Sequence, residues 1–177
     1  MKNLFVLLMA LSFIFFTQNV TEASNQPTRF GKWFYGVSEN EFDGSKAYEI
    51  ATLGTTKMKD VKVSITGACD KESIGFIIQT AGIQLGQWEE GNMRIKIDNK
   101  EPETYSVGQQ SHGEFQNIFI LYAIDGDNLL KEMASASETI KFEIFDYRNT
   151  QIVVTAQLEG FKEAYEKMKP HCISFDF

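Results

Sequence analysis

Two cysteines, two histidines and 24 carboxylates are the side chains through which this 177-residue chain could do chemistry. A zinc or copper site asks for three or four nitrogen and sulfur ligands at short spacings. His112, His171, Cys69 and Cys172 offer no such grouping, so no metal and no cofactor is expected. His171 stands beside Cys172, which raises a Cys-His nucleophile, but neighbours on an extended segment point to opposite sides. An even pair of cysteines in an oxidising compartment is most simply a disulfide, and Cys69–Cys172 is expected to be one, closing a loop of about 100 residues. Asp125-Gly126-Asp127-Asn128 hints at calcium, yet it lacks the alternating carboxylates and distal Glu of an EF-hand loop, and a turn with a helix cap explains it. Paired carboxylates for glycoside hydrolysis are not singled out by any spacing, and Ser111-His112-Gly113 has adjacency alone. One acidic cluster stands apart. Glu39, Glu41 and Asp43 surround Phe42 in a Gly- and Ser-ended turn, a pattern suited to a cation or to a basic partner protein. Trp33, Phe34, Tyr35 and Trp88 form a ligand-facing patch or, more commonly, packing.

The elements that would position these groups are mostly strands. Arg29–Val37 is an aromatic-rich strand, and Lys46–Leu53 alternates, with Ala47, Glu49 and Ala51 on one side and Tyr48, Ile50 and Thr52 on the other. Val61, Val63 and Ile65 alternate with Lys62, Ser64 and Thr66 up to Cys69, and Ile74–Thr80 reads as the hairpin partner. Met93, Ile95 and Ile97 mark another strand ending at Asp98-Asn99-Lys100. Phe115–Ile124 is apolar enough for a central strand, and Thr139–Gln157 reads as a hairpin turning at Asp146-Tyr147-Arg148-Asn149. Two helices interrupt them. One spans Asp127–Ala136, with Asp127 as its cap and Leu129, Leu130, Met133 and Ala134 as its stripe. The other spans Gly160–Lys169, with Phe161, Ala164, Tyr165 and Met168 at i, i+3, i+4 and i+7 and Pro170 as its stop. The expected class is α+β, β-rich: an antiparallel sheet, as a sandwich or half-barrel, with two short helices and one disulfide.

Ahead of all this, Lys2 is followed by the apolar run Leu4–Phe16 and a stretch ending Val20-Thr21-Glu22-Ala23. That is the order of a secretory signal peptide, 1–23, cut before Ser24; its run is too short for a membrane span. Residues 24–177 then form a single domain, periplasmic or secreted, not inserted in the membrane. Removing 1–23 takes away one cation and one anion and leaves the net charge at −7, which disfavours nucleic acid and anionic lipid as partners. The closing alternation Ile173, Phe175, Phe177 imitates the last strand of an outer-membrane barrel, but the helical patterns favour a strand added to a soluble sheet.

The order of parts resembles the VasI or TagO family of small exported proteins associated with type VI secretion. The likeness rests on Trp33 ahead of the Ser38–Ser45 turn, on Val61–Cys69, on Arg94-Ile-Lys-Ile-Asp-Asn, and on the final strand, helix and cysteine from Ala156 to Cys172. The sequence departs from the family at Gly44, where a second Asp is usual, and in its tail beyond Cys172. The resemblance implies an envelope-located accessory protein and no catalytic residues. The expected function is therefore that of a non-enzymatic accessory or binding protein whose partner is another envelope protein, with a small cell-wall hydrolase, or an inhibitor of one, as the alternative.

Overall fold

The computed structural model describes residues 26–84, 91–111 and 116–173. Within them the chain builds two antiparallel sheets and two helices. β1 (Thr28–Phe30), β2 (Trp33–Glu39), β3 (Lys46–Gly54), β4 (Lys62–Cys69) and β5 (Ile74–Ala81) run as a meander; β6 (Asn92–Ile97) and β7 (Glu103–Ser106) form a hairpin elsewhere, and β8 (Gly108–Ser111) with β9 (Gln116–Tyr122) returns to the meander. Helix α1 (Ala123–Ser135) leads to the hairpin β10 (Thr139–Phe145) and β11 (Gln151–Gln157), then α2 (Phe161–Met168) and a 3-10 turn over Lys169–His171. The larger sheet has the order β1-β2-β3-β4-β5-β9-β8 and the smaller β11-β10-β6-β7.

One core joins the layers. Alternation sends Ile50, Val63, Ile65, Phe76, Ile78, Phe119 and Leu121 of the large sheet toward Met93, Ile95, Ile140, Phe142 and Val154 of the small one. Phe76 stacks on Phe142 at 5.7 Å between ring centroids. Leu129, Leu130 and Met133 of α1 and Phe161, Ala164, Tyr165 and Met168 of α2 complete the same layer. A side chain at Gly67 would meet Leu130 at 2.7 Å, so the glycine lets α1 close on β4. Thr55 and Thr155 exchange two backbone hydrogen bonds of 2.8 Å and tie the end of β3 to edge strand β11.

Three expectations need correction. The aromatic segment Arg29–Val37 is not one strand: it reverses at Gly31, whose φ of +52° glycine tolerates and whose missing side chain leaves room for the Glu159 carbonyl, 2.6 Å from where a Cβ would stand. The strand in Phe115–Ile124 stops at Tyr122, and α1 begins at Ala123, four residues before Asp127. Asp127 is therefore interior to the helix rather than its cap, and its carboxylate pairs with the Lys131 ammonium one turn on, at 2.8 Å. The Asp125–Asn128 segment is helix, not the turn expected of it. Among the described residues no helix is long and apolar enough to cross a membrane. The segment 1–23 lies outside the described residues, as do Trp88, His112, Phe175 and Phe177.

Candidate functional site

The acidic turn sits at the tip of the β2–β3 hairpin. Asn40 N–H donates to the Ser45 carbonyl and Gly44 N–H to the Asn40 carbonyl, both at 2.8 Å, and the Asn40 side chain accepts from Phe42 N–H at 2.9 Å. Gly44 takes φ +68°, a conformation that glycine adopts without steric cost. The three acids divide their work. The Asp43 carboxylate accepts from Ser45, and these hydrogen bonds hold it below the usual carboxylate range. Glu39 faces Lys46 across the base of the loop at 3.8 Å, an exposed pair worth little to stability. Glu41 has no ion pair among the described residues, and Phe42 is 99% exposed. The structure thus brings the four predicted residues together on one loop but leaves only Glu41 and Phe42 uncommitted.

The same hairpin carries a group that the alternation placed but did not flag. Glu49 opposes Gly36 on β2 and Ala68 on β4, on the side of the large sheet away from the core. It is 3% exposed, its Oε1 has no hydrogen-bond partner, and burial pushes its carboxyl up to about 7. Its neighbours on that face are small: Gly36, Ala47, Ala51, Ala68 and Gly75. A carboxylate flanked at i±2 by alanines was the available signal, since a solvated strand face would carry longer polar groups.

At the opposite end of the core the chain is clasped. Cys69, closing β4, is joined to Cys172 after the 3-10 turn, with Cα atoms 5.3 Å apart, as expected from the sequence. His171 stacks flat on Tyr48 at 4.1 Å, and Ile173 N–H donates to the Asp70 carbonyl at 3.2 Å. Trp33 and Tyr35 are core residues: the Trp33 indole donates to the Gln157 carbonyl at 2.8 Å and meets Phe161 edge-on at 4.7 Å. Lys167 lies 5.1 Å from the Tyr35 ring centroid. A cavity of about 30 Å³ beside the disulfide, lined by Ile74, Asp127, Lys131, Tyr165 and Cys172, has the size of a single water site rather than a substrate cleft. Among the described residues no three His, Cys, Asp or Glu side chains are grouped to hold a metal ion.

These features define a β-rich, two-sheet domain with a covalently clasped C-terminal helix and an exposed hairpin tip. Neither a protein-family model nor a curated protein matches the chain. A solved structure does: invasion associated protein B from Bartonella henselae superposes with a TM-score of 0.56 at 11% sequence identity, over 82% of this chain and 96% of that one. At that identity the likeness is one of fold.

Proposed function

We propose that residues 24–177 form a non-enzymatic accessory or binding protein of the bacterial envelope, released into the periplasm or beyond by removal of 1–23, and that it works beside a type VI secretion system as the family resemblance implies. The two layers are read as a sandwich, with the Thr55–Thr155 bridge as its closed corner. The partner is another envelope protein presenting a basic surface with an apolar socket. The observation that carries this reading is Phe42: a phenylalanine 99% exposed is held out by a loop braced by its own hydrogen bonds from the N–H groups of Asn40, Phe42, Gly44 and Ser45, beside Glu41, which has no ion pair among the described residues. An aromatic anchor on a preorganised loop loses little conformational entropy on binding, and an adjacent charge speeds and orients encounter.

The test is capture of envelope protein by the tagged 24–177 chain. The double variant Glu41→Gln, Phe42→Ala should lose the captured partner, with the Glu41 share of the loss larger at low salt than at high, while the melting temperature stays within a degree or two of the parent. Asp43 stays intact, because its carboxylate holds the loop together. Undiminished capture by the double variant would reject the loop as the contact. Turnover of cell-wall glycan, abolished by one carboxylate substitution, would establish the hydrolase instead.

A further inference from the structure

The outward face of the small sheet carries a charge that the fold leaves unanswered. Met93, Ile95, Ile140, Phe142 and Val154 turn into the core, so Arg94, Lys96, Lys141, Glu143 and Val153 turn to solvent. The register sets Lys141 directly across from Lys96 and Glu143 directly across from Arg94. Glu143 is the one carboxylate among the described outward positions of β6, β7, β10 and β11, and both its oxygens are engaged. Arg94 donates to one at 3.1 Å and the Gln151 amide donates to the other. Asp98, two residues beyond Lys96, spends its carboxylate on the N–H groups of Ser137, Glu138 and Thr139. Lys96 and Lys141 therefore oppose each other without an ion pair among the described residues. Like charges directly opposite across two strands destabilise a sheet. In a chain of net charge −7 they form a local excess of positive charge that the domain does not neutralise.

We propose that this face binds an anionic polysaccharide, one that carries carboxylates on its sugar rings, with Lys96 and Lys141 together holding one carboxylate. The charges are complementary, and the rest of the face suits a sugar. Thr104, Thr155 and Gln157 lie on the same surface around the cations and offer hydroxyl and amide groups to ring hydroxyls. A protein partner fits less well. The centre of a protein interface is depleted of lysine and closed by apolar groups, whereas here lysines hold the centre and Val153, 42% exposed, is the exposed large apolar residue of these four strands. Nucleic acid and anionic bilayers present their charges densely, which repels a chain of net charge −7. A polysaccharide with at most one carboxylate per ring imposes less of that repulsion. The face is separate from the hairpin tip, so this proposal stands or falls independently of the partner proposed for Phe42.

The experiment measures equilibrium binding of the protein, expressed from the full-length chain and purified as the cell processes it, to immobilised polygalacturonate, neutral dextran and poly-L-glutamate. Polygalacturonate should bind and dextran should not, and binding should weaken as salt rises from about 50 mM to about 500 mM. The double variant Lys96→Gln, Lys141→Gln should bind polygalacturonate about tenfold more weakly, and Lys96→Arg, Lys141→Arg should stay within about threefold of the parent. The Gln variant should melt no lower than the parent, because it removes a repulsion. Absent polygalacturonate binding, undiminished binding by the Gln variant, or a Gln variant that melts well below the parent would overturn the proposal. Poly-L-glutamate bound as tightly as polygalacturonate would give the face to an acidic protein, and lysine-dependent self-association in sedimentation would give it to the acidic tip of a second copy; either result overturns the polysaccharide.

Discussion

The two sheets share one core but differ on their outward faces. On the small sheet that face is Arg94, Lys96, Lys141, Glu143, Val153 and Thr155, with Arg94 and Glu143 paired at 3.1 Å. On the large sheet it runs from exposed Phe34, Leu53 and Lys62 to buried Ala47, Glu49, Ala51, Ala68, Ile77, Ile118 and Ile120. Alternation of apolar and polar residues is the mark of a strand with one dry side, while a run such as Ile118-Phe-Ile-Leu121 is dry on both. The difference teaches that the small sheet carries a charged, water-facing outer surface, whereas the middle strands of the large sheet are apolar on both faces.

Substitutions in the core and on the two outward faces should rank accordingly. In the shared core, Phe161→Ala removes a fully buried ring and should cost about 3–5 kcal/mol in urea unfolding, with Lys162→Ala on the wet side of α2 within about 0.5 kcal/mol. A wet-like result for Phe161 would mean that α2 is rotated. On the outward face of the large sheet, Ile120→Ala should cost about 2–4 kcal/mol, while Lys141→Ala on the outward face of the small sheet should stay within about 0.5 kcal/mol. A cost for Ile120→Ala as small as that for Lys141→Ala would erase the contrast between the faces.

Glu49 gives the contrast a pH signature. Its carboxyl, raised by burial from 4.5 to about 7, keeps in the folded chain a proton that the unfolded chain has already released. Stability should therefore fall as pH rises through that window and level off above it, by about 3 kcal/mol at most. Glu49→Gln should remove this component of the slope and raise stability at pH 8. Urea midpoints at pH 5 and pH 8 decide it, and a slope unchanged by the substitution would mean the carboxyl is solvated.

Much of this was legible along the chain. Val63 and Ile65, Met93 to Ile97, and Ile140 to Ile144 declare their strands by period, and the β10–β11 turn is announced by Asp146, whose carboxylate accepts from the N–H groups of Arg148 and Thr150. The disulfide follows from the even cysteine count and the expected export. Other parts left no trace because neighbours make them. β7 and β8, Glu-Thr-Tyr-Ser and Gly-Gln-Gln-Ser, have no apolar alternation and are strands through their pairing with β6 and β9. Helix α1 follows β9 without a loop, Ala123 turning the chain at φ +52°, so the acidic cluster downstream pointed four residues too far along. Of the predicted loop, sequence located all four residues but not their division of labour, which depends on which carboxylate the backbone amides reach. Glu49 was placed on the correct side of its strand, but whether that side is wet depends on residues far from it in the chain.

The Cys69–Cys172 bond has a topological consequence. It makes a covalent ring of the chain from Cys69 to Cys172 that contains β5, β8, β9, the whole small sheet and both helices, and among the described strands leaves the meander β1 to β4 outside it. A single backbone cut anywhere between Asp70 and His171 opens the ring without dividing the molecule. Such a nick leaves one molecule of unchanged covalent continuity, and it takes a reductant as well as a protease to separate the pieces.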